Sequence, residues 1–309
     1  MALNAYDRHP ETAKLKPWLD AMFTGTSFSI LNYDTNFFDL VKGDKVKIHI
    51  AELDHLSPRA VHLSDGTVLE SEVLLANTGW KHVPPIAFLP KGIELELGLP
   101  HILPDQSQDL ASLIVRADQE ILSRFPRLRS QPKWNEKYVP LTDLEAIETT
   151  DSITPYSQLP PFTLHRFIVP PSERLLRNRD IAFAGMVTNF SNTLTAHLQG
   201  LWIGAYFSGR LLKDPAAALD DENLLENLRY EAVLHNRFGH WRYPNDWGNK
   251  CPSFIFDAVP YLDLLQGDLG LENHRKRGFW SELMEPYRPA DYQDVNDEWQ
   301  RKHGYAESG

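Results

Sequence analysis

The chain has 309 residues, 42% hydrophobic and 24% charged, which is an ordinary globular composition with room for one large or two modest domains. Its 31 Lys and Arg residues and 42 Asp and Glu residues give a net charge of −11, which disfavours nucleic acid or an anionic membrane as the main partner. The single cysteine, Cys251, excludes an internal disulfide framework, and the absence of a signal peptide or a long apolar run predicts a cytoplasmic protein without a membrane span.

The first part of the sequence predicts one short helix and several strands. Residues Phe37 to Val41 predict the helix, and the alternation of polar and apolar residues from Lys45 to Ile50 predicts a strand. Residues Ala60 to Glu70 predict a hairpin that turns at Asp65-Gly66. Residues Val73 to Ala76 are all apolar, which predicts a buried strand.

The middle and the end of the sequence predict two amphipathic helices. One begins at Asp109 and runs to about Phe125, where Pro126 ends it. Residues Phe162 to Val169 predict an extended segment. The second helix begins at Asp220 or Asp221 and runs to about Phe238. Its inward-facing residues are predicted to be Leu224, Leu228 and Ala232.

Residues 180–211 predict a strand, a turn and a buried helix. The apolar run Ile181 to Ala184 stops at Gly185, which is typical of an internal strand of a parallel sheet. Ser191 or Asn192 is expected to cap the helix. Small residues recur every four positions on one flank of it, at Gly200, Gly204 and Ser208. This flank would let a flat ligand or another backbone approach closely, although a core helix packed on a sheet gives the same pattern.

Two segments in this order resemble a known family. The first is VHLSDGT at 61–67 followed by VLLANTGW at 73–80, and the second is DIAFAGM at 180–186 followed by AHLQ at 196–199. Together they resemble the carboxyl-terminal portion of the flavin-containing monooxygenases of fungal secondary metabolism. The resemblance implies an α/β, partial two-dinucleotide-binding-domain flavoprotein fold with a helical carboxyl-terminal extension.

The resemblance also implies three domains. Residues 1–80 would be a remnant of the nicotinamide-binding domain, with the β-hairpin and a Thr-Gly crossover. Residues 81–212 would be a remnant of the FAD-binding domain, with the strand, turn and helix at 180–212. Residues 213–309 would form a helical, aromatic-rich cap.

By the same resemblance the cofactors are FAD and NADPH, and the substrate is a small apolar metabolite. The implied cofactor-binding residues are Thr78, Gly79, Trp80, Gly185, Met186, Asn192, Thr193 and Gln199. The chain departs from the family because no two of its 17 glycines are separated by a single residue, so it contains no G-x-G-x-x-G loop. The expectation is therefore a truncated or split enzyme, whose missing dinucleotide-binding half a homo-oligomer or a partner chain would supply.

Three side chains are candidates for catalysis, and the catalytic residue stays unassigned among them: His197, His165 and Arg166. His165 and Arg166 could polarise a carbonyl group. A second polar and aromatic cluster could hold an acid–base pair and consists of His235, His240, Trp241, Asp246 and Trp247. No spacing of His, Asp or Glu predicts a metal site, and no G-x-S-x-G element predicts a serine hydrolase.

Three functions stay open at this point. The first is a flavin-dependent monooxygenase-type oxidoreductase. The second is a flavin-free cyclase or isomerase that reuses the ancestral pocket and would need a closed aromatic pocket around His165 or His197. The third is a non-catalytic subunit or pseudoenzyme, which would expose apolar residues near Val73 to Ala76 for its partner.

Overall fold

The protein is described here by a computed structural model that covers residues 6, 9–16, 36–43, 45–77, 86–100, 108–130, 160–243 and 252–304. The chain divides into two compact units, Met1–Trp18 with Ser27–Lys81 and Leu19–Thr26 with His82–Gly309. The described residues combine helices with one small antiparallel sheet, which is compatible with an α/β class.

The described residues of the first unit form two short helices and a three-stranded sheet. The elements are α1 (Pro10–Ala13), α2 (Phe37–Lys42), β1 (Leu53–Ser57), β2 (Ala60–Leu63) and β3 (Val68–Glu70). The predicted helix and hairpin are confirmed. The Asp65 carboxylate accepts the Thr67 N–H at 2.9 Å, and Gly66 has a φ of 85°, which glycine adopts without a steric penalty. The strand β1 was not predicted, and it pairs antiparallel with β2.

Two strands predicted in this unit are wrong. Residues 45–50 form no strand, and Ile50 is 58% exposed. Residues 73–76 also lack regular structure, and Val73 and Leu75 are 81% and 89% exposed. An apolar run becomes a buried strand only where neighbouring strands and both covering layers are present, and none of these covers the run within the described part of the chain.

The second unit is mainly helical. Its α-helices are α3 (Ile93–Glu96), α4 (Gln108–Arg124), α5 (Glu173–Asn178), α6 (Asn192–Phe207), α7 (Glu222–Arg242), α8 (Ala258–Leu269), α9 (Phe279–Met284) and α10 (Val295–Lys302). Both predicted amphipathic helices are confirmed as α4 and α7. Asp221 caps α7 by accepting the Asn223 N–H at 2.8 Å. Short 3-10 helices lie at Pro126–Arg129, Pro215–Asp220 and Pro289–Tyr292.

Helices α4 and α7 pack through an apolar contact and a charged cluster. Ala117 on α4 is fully buried in a cluster with Val233 on α7. Beside this contact the Asp118 carboxylate accepts two hydrogen bonds from Arg237, at 2.7 and 2.8 Å, and one from the Trp241 indole at 2.8 Å. The two-pronged arginine contact fixes the register of one helix against the other.

The main core lies between α6 and α8. Residues of α6 that are 1% exposed or less pack against residues of α8 at the same burial, and these are Leu198, Trp202, Ala205, Tyr206, Tyr261, Leu262, Leu265 and Leu269. Each element contributes a wide apolar face, so neither helix could be stable in water without the other. This core holds α6 in place with its opposite face uncovered by described residues.

Three expectations for this unit are corrected. Residues 162–169 are not extended throughout, because Arg166 and Phe167 adopt positive φ angles of 53° and 57° and the chain reverses between His165 and Val169. The predicted strand at 181–184 is replaced by a single backbone hydrogen bond from Phe183 N–H to the Ile168 carbonyl, at 2.8 Å. On α7, Ala232 is buried as predicted, whereas Leu224 is 49% exposed because it lies on the outer face.

We predict that Leu265→Ala lowers the free energy of unfolding by about 2–5 kcal/mol, because it leaves a cavity in the main core. Leu265 has no exposed surface. The measurement is urea denaturation followed by circular dichroism. Leu224→Ala is the matched control and should change stability by less than about 0.5 kcal/mol. Equal losses in the two variants would contradict the assignment of the core.

Candidate functional site

The turn at Gly185 links residues 181–184 to helix α6. Gly185 has a φ of 76°, a conformation that favours glycine, and it is exposed. A methyl group built on its Cα would meet no atom within 4 Å. Its N–H donates to Oε1 of Gln199 at 2.9 Å. The turn is thus held on its inner side and open on its outer side.

The amino terminus of α6 has no side-chain cap. Ser191 occupies the N-cap position, as one of the two predicted candidates, but its side chain makes no capping hydrogen bond, and the predicted cap is therefore wrong. Buried Asn189 organises the loop instead, because its Oδ1 accepts the Ser191 N–H at 2.8 Å and its Nδ2 donates to the Thr195 hydroxyl at 2.7 Å. First-turn N–H groups without a cap carry a partial positive charge that suits an anionic or electron-rich ligand atom.

One face of α6 is exposed and carries small side chains beside the larger His197 and Phe207. We call it the open flank, and it consists of Thr193, Ala196, His197, Gly200 and Gly204. A methyl group added at either glycine would meet no atom within 4 Å. The predicted small residues Gly200 and Gly204 are thus exposed on α6, and Ser208, the third of them, is the exposed C-cap residue that follows the helix.

Arg166 lies behind α6 in a buried ion-pair cluster. Its side chain is 8% exposed and donates to the Asp268 carboxylate through Nε at 2.8 Å and Nη2 at 3.2 Å. Its Nη1 donates to Glu231 Oε1 at 2.7 Å. Burial alone would lower the pKa of Arg166, but the hydrogen bonds and charges of Asp268 and Glu231 outweigh it and raise the pKa above its ordinary value. The guanidinium is committed to protein carboxylates, which leaves it poorly placed to polarise a substrate carbonyl.

His165 is buried next to this cluster. It is 3% exposed, and its Nδ1 has no hydrogen-bond partner among the described residues. The nearest carboxylate oxygen is Oε2 of Glu231, at 3.7 Å. Burial, followed by the charges of Arg166 and His235, holds the pKa of His165 well below its ordinary value. His165 is therefore neutral at pH 7.

The other predicted site residues fall into two groups. Met186 is half-buried against the core, Asn192 and Thr193 are exposed at the start of α6, and Gln199 is fully buried below the turn. These four residues and Gly185 therefore share one neighbourhood. Predicted residues outside the described part of the chain are Thr78, Gly79, Trp80, Asp246, Trp247 and Cys251.

His235 and His240 both lie on α7 and are separated by slightly more than one helical turn. His235 Nε2 is 3.9 Å from Glu231 Oε1, and burial lowers the pKa of His235 to about 4 although the Glu231 charge opposes this shift. His240 stacks edge-on against Trp241, with ring centroids 5.6 Å apart. Among the described residues no group of His, Cys, Asp or Glu is arranged to hold a metal ion.

Sequence reasoning missed the partners of Arg166. Asp268 is 1% exposed and lies in the mainly apolar helix α8, which also contains Asp263 and Gln266. A charged residue inside each of two apolar segments is the signal that could have suggested the pair, because buried charges in proteins are almost always paired.

The helices of the described chain include none that is both long and apolar enough to cross a membrane.

We predict that Asp268→Asn destabilises the fold by about 3–5 kcal/mol, because it leaves the Arg166 charge buried and partly unpaired. Chemical denaturation measures the loss. Glu173→Gln is the matched control, since Glu173 and Arg177 form an ion pair whose side chains are 64% and 63% exposed. Its loss should stay below about 1 kcal/mol. A small effect of Asp268→Asn would show that the cluster contributes little to folding.

We also predict that the protein loses stability as the pH falls below about 6.5, the ordinary pKa of histidine. His165 and His235 have lowered pKa values when folded, so in acid the unfolded chain binds protons that the folded chain does not. His235→Gln removes one of these sites and should flatten the melting temperature between pH 7 and pH 5. His197→Gln, at an exposed position, is the control. Identical pH profiles for wild type and His235→Gln would refute this prediction.

Comparison with known proteins finds relatives among fungal enzymes. The protein named FAD-dependent monooxygenase rstn6, from Aspergillus nomiae, is 28% identical over 307 residues, which cover 97% of this chain and 48% of the relative. The FAD-dependent monooxygenase resA of Aspergillus sclerotiorum is 30% identical over 302 residues, which cover 95% and 47%. The FAD-dependent monooxygenase DEP4 of Alternaria brassicicola is 29% identical over 298 residues, with the same coverage.

The chain spans about half the length of the curated relatives that it matches. No protein-family model matches the chain, and no solved structure does either. The resemblance predicted from the two sequence segments is confirmed by these relatives. The chain is therefore a relative of the fungal FAD-dependent monooxygenases, matched to about half of their length.

Proposed function

We propose that this chain forms the side of a flavin site that faces the isoalloxazine ring, in a monooxygenase-type oxidoreductase acting on a small apolar metabolite of secondary metabolism. The observation that carries the proposal is the Gly185 turn, which is open on its outer face and leads into an uncapped helix. The names of the relatives support FAD as the cofactor. The proposal includes NADPH as the reductant and a cytoplasmic location.

The residues around the turn fit a flat, electron-rich ring. Gly185 and Met186 would contact the ring edge, and the first-turn N–H groups of Asn192 and Thr193 would stabilise negative charge on it. The open flank beyond them lets a planar group approach without a steric clash at Gly200. When bound, reduced FAD would supply the activation of molecular oxygen, and the protein would orient the ring.

The phosphates of FAD are assigned to a different part of the assembly. No glycine pair in the chain has the G-x-G spacing that lets a backbone approach a pyrophosphate. Within the proposal that loop comes from outside these 309 residues, in a fold of the two-dinucleotide-domain kind. The chain itself then contributes ring recognition.

A second candidate is a non-catalytic subunit that completes its fold with a partner chain. The observation that favours it is the exposure of Val73 and Leu75, at 81% and 89%, in an apolar run of the first unit. Surfaces of this kind in a native protein mark interaction sites. A non-catalytic subunit needs no flavin, so a measurement of flavin binding distinguishes this candidate from the proposed monooxygenase-type function.

The test is a titration of the purified chain with FAD and with riboflavin, followed by visible absorbance and by quenching of flavin fluorescence. Because the chain offers ring contacts and no phosphate loop, riboflavin should bind within about ten-fold of FAD, a difference of about 1.4 kcal/mol. A well-folded chain that binds neither flavin would overturn the proposal and leave the subunit function in its place.

A variant of the open flank sharpens this test. Gly200→Leu should remain folded, because added atoms at this position meet open space, but it should block the ring and abolish flavin binding. Asn296→Leu places the same side chain at an exposed position of α10 and is the control. Unchanged flavin affinity in Gly200→Leu would show that flavin does not use the open flank.

A further inference from the structure

Gln199 connects the turn at Gly185 to the protein interior. It has no exposed surface, and the two ends of its amide group face different partners. Its Oε1 accepts the Gly185 N–H at 2.9 Å, and its Nε2 donates to the Tyr261 hydroxyl at 2.7 Å. Among the described residues, the Gly185 backbone is the contact through which Gln199 reaches the exposed turn.

Tyr261 fixes the orientation of that amide. Its hydroxyl, also without exposed surface, donates to the Arg166 carbonyl at 2.8 Å. A hydroxyl has one proton, and a carbonyl oxygen cannot donate, so the Tyr261 oxygen is left to accept. It can accept only from the Gln199 NH₂ group, which turns the Gln199 carbonyl towards Gly185. Burial raises the pKa of Tyr261, so this proton stays in place throughout the working pH range.

Arg166 anchors the far end of this chain of hydrogen bonds. Its backbone adopts a φ of 53°, and its carbonyl accepts from Tyr261 while its side chain is held by Asp268 and Glu231. The indole of Trp202 donates to the same Asp268 carboxylate at 3.1 Å. Helices α7 and α8 thus each contribute a carboxylate that binds Arg166, and Trp202 of α6 holds the Asp268 carboxylate, so Arg166 is a rigid support.

We propose that Gln199 and Tyr261 are positioning residues that transmit the rigidity of the Arg166 cluster to the Gly185 turn, so that the turn is preorganised for its ligand. The series Gly185, Gln199, Tyr261, Arg166 is called the relay below. The proposal rests on the proposed function for the identity of the ligand, a flavin ring, but the coupling between relay and turn is a property of the chain alone. Gln199, which the resemblance implied to be cofactor-binding, acts in this proposal through Gly185.

The relay predicts a local effect of removing one buried hydroxyl. In Tyr261→Phe the Gln199 amide loses the partner that orients it, so the Gly185 amide proton should exchange about ten-fold faster, the factor expected for one lost hydrogen bond of typical strength. Hydrogen exchange read by nuclear magnetic resonance on the flavin-free protein measures it. Tyr243→Phe is the matched control, because Tyr243 is 1% exposed and its hydroxyl bonds Asp257 and the Phe256 N–H instead. Equal Gly185 exchange in the two variants would overturn the proposal.

Two substitutions of Gln199 separate positioning from packing. Gln199→Met keeps the volume and removes both hydrogen bonds, so it should weaken riboflavin binding about ten-fold and shift the visible absorbance of the bound flavin. Gln199→Glu should restore both, because a buried carboxyl group is protonated and then accepts from Gly185 and donates to Tyr261. A role in packing alone predicts the reverse order, with Gln199→Met close to wild type, and that order would overturn the proposal.

The two readouts keep this proposal distinct from the proposed function. If the wild-type chain binds no flavin, the proposed function fails, while Gly185 exchange in Tyr261→Phe still decides whether the relay holds the turn. If flavin binds but its affinity and spectrum are the same in Gln199→Met as in wild type, the positioning role fails and the flavin site stands.

Discussion

The burial of the Arg166 guanidinium is the constraint on which the second unit depends. A charge taken out of water has to be compensated, and here Asp268 on α8 and Glu231 on α7 compensate it. Because the two carboxylates lie on α7 and α8, the ion pairs hold both helices at defined positions relative to Arg166. The apolar contacts between α6 and α8 supply much of the stabilising energy, but apolar contacts alone tolerate sliding. The directional bonds of Arg166 remove that freedom.

The architecture places rigid and open surfaces on opposite sides of one helix. The inner face of α6 carries Trp202 and Tyr206, which stack at 5.5 Å and have almost no exposed surface. The outer face carries Ala196, Gly200 and Gly204 together with the larger side chains of His197 and Phe207. A binding surface built on a regular helix is held more precisely than one built on a loop, and its shape then depends on the core beneath it. In the proposed function, ligand binding and core packing are therefore linked through α6.

The sequence was sufficient for features that depend on neighbouring residues. The Asp65-Gly66 turn, the periodicity of α4 and α7 and the glycine spacing on α6 are local patterns, and the structure contains each of them. The sequence was insufficient where the structure of a segment depends on a residue far away in the chain. Arg166 and Asp268 are 102 residues apart, so no periodicity relates them. An apolar run such as Val73 to Ala76 indicates a tendency to be buried. A strand also needs a neighbouring strand for its backbone hydrogen bonds, and the sequence of the run does not show whether such a strand is present.

The two glycines of the open flank carry a thermodynamic cost. A glycine in the interior of a helix is less favourable than alanine by about 0.5–1 kcal/mol, and the methyl group of an alanine would fit at Gly200 and at Gly204 without meeting another atom. The two glycines thus lower the free energy of unfolding by roughly 1–2 kcal/mol. The whole free energy of unfolding of a native protein is roughly 5–15 kcal/mol. Selection for stability alone would replace both glycines. In the proposed function, the close approach of the flavin ring to α6 offsets this loss of stability.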